Sequence, residues 1–146
     1  MAETLGMLCD KLTIVKLKQY HSEDESRLRS LAEQAENLSQ EIDEYIRLAA
    51  SGNIEPSKMS FASNKVYKKE GNETKVVTGN FGEIFYQLAD VNCRLWHEQE
   101  KVYDFEVVPA EEKNQVVKNL ALLNLERNNC IDALNELLKE SILKTK

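Results

Sequence analysis

Apolar residues recur at helical spacing along four stretches of this sequence, and polar or glycine-containing breaks separate the stretches. In residues 3–20 the apolar positions cover most of the helix circumference, which is typical of a helix at the centre of a bundle. Residues 23–50 carry one narrow apolar seam with a seven-residue repeat, which predicts a helix with one face on the core and a broad face in water. The seam consists of Leu28, Leu31, Ala35, Leu38, Ile42, Tyr45 and Ala49.

The sequence also marks both ends of the second helix. Ser22 is a favoured N-cap residue, and Glu25 three positions later completes the pattern of a capping box. After residue 50, Gly52 or Asn53 can adopt the left-handed conformation that commonly ends a helix. The short turn between the first two helices predicts that they form an antiparallel hairpin.

Two further helices are predicted at about 82–104 and 109–143, the second with a proline at its start. Arg127 lies on the apolar seam of the fourth helix, where a leucine is expected. Four helices with mostly short connections predict an all-α fold, an antiparallel up-down four-helix bundle in a single domain over 1–146. The other seam positions are Ile84, Leu88, Val91, Leu95 and Val102 in the third helix, and Val116, Leu120, Leu123, Ile131, Leu134 and Leu138 in the fourth.

Between the second and third helices the sequence changes character. Residues 64–68 and 74–78 are rich in β-branched or aromatic side chains, and residues 70–73 have the composition of a turn. This pattern predicts a small β-hairpin insertion at 62–79. Because an isolated two-stranded hairpin is marginally stable in water, we expect it to pack on the bundle, pair with another subunit or be mobile.

Composition and charge limit the function classes. The chain has 146 residues with 5 Gly and 2 Pro, and its net charge of −6 argues against nucleic-acid or anionic-membrane binding. No stretch approaches the roughly 18 apolar residues of a membrane-spanning helix, and the N-terminus lacks a signal-peptide pattern, so we expect a cytoplasmic protein. Cys9, Cys93 and Cys130 lie within helical patterns beside apolar residues, which favours three buried, reduced thiols.

Arg127 is the feature of the sequence that most needs a partner. A guanidinium stays charged and is costly to bury alone, so it must meet an acid or a bound anion, or reach water. The candidate acids on neighbouring helices are Asp10, Glu98, Glu100 and Asp104. A buried network that only fixes helix register would satisfy the guanidinium as well as a ligand pocket would.

We interpret the polar residues around Arg127 as one pocket for an anionic small molecule, with Trp96 as a stacking wall. If the protein is an enzyme, His97 or Glu100 would carry the proton. No metal site is indicated, because Arg94 stands where the Glu of a Glu-x-x-His pair would be. The sequence does not identify a cofactor. The predicted pocket consists of Asp10, Lys18, Asn92, Trp96, His97, Glu100, Asn124, Arg127 and Asn128.

Three motifs resemble uncharacterised bacterial families of helical domains. They are Asp10-Lys11-Leu12-Thr13-Ile14 followed by Lys18, Leu88-x-x-x-Asn92-x-x-Leu95-Trp96-His97-x-x-Glu100, and Leu123-Asn124-x-x-Arg127-Asn128-x-x-Ile131. Members of these families are often encoded beside glycosyltransferases and other cell-envelope sugar genes. The resemblance therefore implies a role with nucleotide sugars or sugar phosphates.

Three functions stay open from the sequence. The first is binding of a phosphorylated, nucleotide-type or sugar-type small molecule. The second is a structural or self-assembling module, a homo-oligomer formed through the second helix or the hairpin. The third is a metal-dependent nucleotide hydrolase, suggested by two acidic pairs in the second helix, Glu33-x-x-Glu36 and Glu41-x-x-Glu44.

Overall fold

The structure is a computed structural model that describes residues 3–61 and 77–145, and it is all-helical over those ranges. Most of the predicted hairpin at 62–79 lies outside the described residues. Val77 and Thr78, which belong to its second predicted strand, adopt no regular secondary structure. The four helices are α1 (Leu5–His21), α2 (Glu25–Ala50), α3 (Phe81–Tyr103) and α4 (Ala110–Lys144), with short 3-10 turns at Pro56–Lys58 and Phe105–Val107.

The helix ends follow local capping chemistry, with one correction. Asp24, not Ser22, caps α2, since its side chain accepts a hydrogen bond from the backbone N–H of Ser26. Ser22 instead ends α1, and its backbone N–H donates to the carbonyl of Gln19. Both residue types are good N-caps, so sequence preference alone does not choose between positions two residues apart.

The other helix boundaries lie within two residues of the predicted ones. Gly52 adopts a positive φ of 81° just after α2, as the predicted stop requires. At the start of α3, Asn80 and Glu83 form a reciprocal capping box that the sequence reading missed. None of the described helices is both long and apolar enough to cross a membrane.

The first helix is the central element of the bundle, because α1 packs against each of the other three helices. Contacts between Gly6 and Asn135 and between Asp10 and Arg127 show that α1 and α4 run in opposite directions. The α2 seam predicted from the heptad is buried or half-buried at every position, and α2 uses it against the core of its own chain. Its buried members are Leu31, Tyr45 and Ala49.

The backbones of α1 and α4 come into close contact at Gly6. Its N–H donates to Oδ1 of Asn135 at 2.8 Å, and a Cβ added at Gly6 would lie 2.5 Å from the carbonyl oxygen of Ile131. Only a glycine permits this approach, because real Cβ atoms do not come so near to backbone oxygen. Asn135 is 1 % exposed, and its Oδ1 accepts this bond, although its burial was not predicted from the sequence.

We expect Gly6→Ala to lower the free energy of unfolding by about 2–3 kcal/mol, because the new methyl group forces α1 away from α4. Gly82→Ala is the matched control, since the nearest atom to its added Cβ lies at 3.8 Å and the position is helical. The control should be neutral or gain up to about 1 kcal/mol. Urea unfolding followed by circular dichroism measures both variants, and equal stabilities would contradict the close contact.

Candidate functional site

Arg127 forms a bidentate ion pair with Asp10, which joins α4 to α1. Its Nε donates to Asp10 Oδ1 at 2.8 Å, and its Nη2 donates to Oδ2 at 2.5 Å. The carboxylate of Asp10 is nearly enclosed, with the residue 4 % exposed, whereas the side chain of Arg127 keeps 34 % exposure. Among the four acids proposed from the sequence, the structure therefore selects Asp10 as the partner of the seam cation.

Asn92 of α3 also binds to the carboxylate of Asp10. Its Nδ2 donates to Asp10 Oδ1 at 2.9 Å and to the hydroxyl of Thr13 at 2.7 Å, and the residue is 1 % exposed. The amide therefore approaches the carboxylate from one side while the guanidinium approaches from another. Three helices meet at Asp10, which makes this polar cluster a fixed part of the bundle interior.

The ion pair also keeps Arg127 charged. The hydrogen bond that the guanidinium donates to Asp10 raises the pKa of Arg127 above its ordinary value, and this effect outweighs the opposing effect of burial. Arg127 therefore carries a permanent positive charge next to the enclosed carboxylate of Asp10, and each charge compensates the other. Removing one member leaves the other charge without compensation in a desolvated site.

We expect Arg127→Leu to lower the free energy of unfolding by about 3–5 kcal/mol, because Asp10 is left as an uncompensated buried charge. The double variant Asp10→Asn/Arg127→Leu removes that charge and should recover at least about 1 kcal/mol of the loss. Urea unfolding of the two single variants and the double variant forms the cycle. If the double variant loses the full sum of the single effects, the two side chains do not form the coupled pair described here.

A broad groove runs between α1 and α3, and we call it the aromatic groove. Its volume is about 650 Å³. The imidazole of His21 stacks on the indole of Trp96, with ring centroids 4.8 Å apart and planes 9° apart, and Tyr20 meets His21 edge-on. The groove is lined by Leu12, Thr13, Lys16, Leu17, Tyr20, His21, Phe85, Ala89, Cys93, Trp96, His97 and Glu100.

The structure divides the single pocket predicted around Arg127. Trp96, His97 and Glu100 line the aromatic groove, but Arg127 does not. A second, polar groove of about 470 Å³ lies on another face of α1, between α1, α2 and α4. We call it the polar groove, and it is lined by Asp10, Lys11, Ile14, Lys18, Gln34, Asn37, Leu38, Glu41 and Arg127.

The three predicted amide residues lie outside both grooves. Asn92 is buried in the cluster around Asp10, Asn124 is exposed on α4, and Asn128 is half-buried. Asn124 and Asn128 therefore line neither of the two grooves, and their role in ligand binding stays a prediction. Arg127 and Asn92 donate directly to Asp10, which uses polar groups that the predicted pocket would have offered to a ligand.

The residues that α1 contributes to the aromatic groove were not predicted from the sequence. Lys16, Tyr20 and His21 were not among the predicted site residues, yet both histidines of the protein and its one tryptophan line this groove. Lys16 and Tyr20 are four residues apart, so helical spacing alone places them on one face. The spacing of Lys16 and Tyr20 was visible in the sequence. It does not show that this face of α1 lies opposite Trp96, and so it did not place the two residues in a site.

The cysteines are all free, and they differ in environment. Burial raises the pKa of Cys9 to about 11, with a further contribution from the charge of Asp10. Burial likewise raises the pKa of Cys130 to about 11. Cys93 is exposed and lines the aromatic groove, so the prediction of three buried thiols is wrong for that residue.

We expect one of the three thiols to react rapidly with a disulfide reagent in the native protein at about pH 8, since the thiolate is the reactive form. Cys9 and Cys130 combine burial with a raised pKa, and they should react only after unfolding. Thiol titration with and without denaturant measures the number of reactive groups. Cys93→Ser should abolish the fast phase, and a fast phase that persists in this variant would contradict the assignment.

The acidic pairs of α2 do not converge on a metal-binding arrangement. Glu33, Glu36, Glu41 and Glu44 are exposed, and Glu44 pairs with Arg47 on the same helix. Within residues 3–61 and 77–145, no group of three or more His, Cys, Asp or Glu side chains is placed to hold a metal ion. Comparisons with protein-family models, curated proteins and solved structures found no match for this chain.

Proposed function

We propose that this protein binds a phosphorylated small molecule of the nucleotide or sugar type in the aromatic groove. The observation that carries the proposal is the stacked pair of His21 and Trp96 in a groove that Lys16 also lines. Stacked rings offer a flat aromatic face to a planar or ring-shaped ligand, and an adjacent ammonium group offers a contact for its phosphate.

The size and lining of the groove suit such a ligand. A volume of about 650 Å³ falls in the range of about 300–1,000 Å³ that is usual for small-molecule sites. The walls are mainly apolar, with Leu12, Leu17 and Phe85 among them, and a few polar groups are placed around them. This combination favours a nucleobase or another flat ring over a ligand that is polar on every side.

The local charge also favours an anionic group. The whole chain has a net charge of −6, yet the aromatic groove brings together Lys16, His21 and His97 against one carboxylate, that of Glu100. A phosphate bound here would meet cations that most of the acidic surface does not offer.

His97 and Glu100 are the proton carriers if the bound molecule also reacts. They lie one turn apart on α3, both are exposed, and both line the aromatic groove. An imidazole and a carboxylate beside the same ligand can serve as acid and base. The resemblance of the Trp96-His97 motif to families encoded near sugar genes supports a sugar nucleotide as the ligand.

Quenching of the single tryptophan tests the proposal directly, because Trp96 lies in the proposed site. We expect uridine and adenosine diphosphates or their sugar conjugates to quench its fluorescence saturably. Lys16→Gln should weaken binding about tenfold or more, since a charge-assisted hydrogen bond is lost. Lys118→Gln on α4 is the control, because that exposed lysine lines neither groove.

Two results would overturn the proposal. The first is the absence of saturable quenching by every nucleotide and sugar nucleotide tested, with the protein still folded by circular dichroism. The second is equal loss of affinity in Lys16→Gln and Lys118→Gln, which would show a general effect of charge. Protection of the Cys93 thiol by the bound ligand gives an independent readout, since Cys93 lines the same groove.

Self-association is a second candidate function, and exposed tyrosines favour it. Tyr20, Tyr86 and Tyr103 are 81 %, 77 % and 82 % exposed, and tyrosine is among the residues enriched at protein–protein interfaces. The α2 seam is used within the chain, so a homo-oligomer would form through another surface. The predicted hairpin at 62–79 remains part of this proposal.

The three free thiols support the proposed cytoplasmic location, because the cytoplasm keeps thiols reduced.

A further inference from the structure

Arg127 keeps unused hydrogen-bond donors in the polar groove. A guanidinium has five N–H groups, and the ion pair with Asp10 uses one on Nε and one on Nη2. Among residues 3–61 and 77–145 the other three N–H groups have no hydrogen-bond partner, and the side chain is 34 % exposed and lines the polar groove. Asp10 fixes the plane of the guanidinium, and Asn92 in turn holds Asp10 from α3.

Two lysines of α1 line the polar groove as well. Lys11 and Lys18 are two helical turns apart, about 10 Å along the axis, so both line the same groove. Lys11 forms an ion pair with Glu3 at 2.6 Å. Lys18 is exposed and has no ion-pair partner among residues 3–61 and 77–145, so its ammonium group is available to a ligand.

The opposite wall of the polar groove has a different chemistry. Glu41 of α2 lines it, and in the described parts of the chain this carboxylate has no cationic partner. Gln34 and Asn37 lie on the same wall and offer amide donors and acceptors. Among the described residues, the groove thus places Lys18, which has no ion-pair partner, and the exposed part of Arg127 on one side, and the carboxylate of Glu41 on the other.

We propose that the polar groove is a second binding site, separate from the aromatic groove, for a small oxyanion that carries an ammonium or hydroxyl group at its other end. The oxyanion binds to the free N–H groups of Arg127 and to Lys18. The donor at the far end binds to Glu41. A simple anion satisfies only the first of these contacts, and Glu41 repels it, so the groove favours the two-ended ligand.

Isothermal titration calorimetry with phosphoethanolamine and inorganic phosphate tests the site. We expect saturable binding of phosphoethanolamine and weaker binding of phosphate at matched ionic strength. Lys18→Gln should weaken phosphoethanolamine binding about tenfold or more. Arg127 is left intact in this test, because its loss also removes the partner of a buried carboxylate. Lys118→Gln, outside both grooves, should bind like the unaltered protein.

Glu41→Gln distinguishes the two ends of the ligand. This substitution should weaken phosphoethanolamine binding, because the attraction between Glu41 and the ammonium group is lost. It should strengthen phosphate binding, because the repulsion between Glu41 and the anion is lost as well. Lys16→Gln in the aromatic groove should change neither. The proposal is overturned if neither compound binds saturably to the folded protein, if Lys18→Gln binds normally, or if Lys16→Gln causes the loss. The last result would place the anion in the aromatic groove.

Discussion

The ion pair between Asp10 and Arg127 is the interaction on which the arrangement of the helices depends. A carboxylate that is 4 % exposed has almost no access to water, so its charge must be balanced by groups held at fixed positions. Arg127 supplies two hydrogen bonds from α4, and Asn92 supplies one from α3. An apolar contact can slide along a helix, whereas a bidentate pair fixes both distance and direction. This cluster therefore sets how α3 and α4 lie against α1.

The same cluster explains why the polar residues form two grooves and not one pocket. The centre of the bundle keeps little free hydrogen-bonding capacity, because Arg127 and Asn92 bond directly to Asp10. Among the described residues, Oδ1 of Asn92 is buried in this cluster without a hydrogen-bond partner. The side chains that line the two grooves lie on the outer sides of α1. One side holds aromatic rings and imidazoles, and the other holds a half-exposed guanidinium and lysines. Arg127 thus belongs to the structural network through its bonds to Asp10, and the same side chain lines the polar groove.

The spacing of hydrophobic residues was sufficient to predict the four helices, because each helix buries the face on which its own apolar residues lie. The α2 heptad is the clearest case, since every seam position is buried or half-buried. Contacts between distant segments were harder to predict. Asp10 was one of four candidate partners for Arg127, and only the packing of α1 on α4 selects it. The stack of His21 on Trp96 and the contact of Gly6 with Asn135 depend on that packing too, so spacing along the chain does not reveal them.

The difference between the two ends of α1 places the candidate sites. At Gly6 the backbones of α1 and α4 touch, which leaves no room for a side chain or a ligand between them. Beyond this contact α1 is more exposed, because five of its six buried residues lie at positions 5–10 and Val15 is the one that follows. Both grooves take their α1 residues from positions 10–21, beyond the close contact. The glycine contact and the ion pair thus both join α1 to α4 in the first half of α1, and the side chains of its second half line the two grooves.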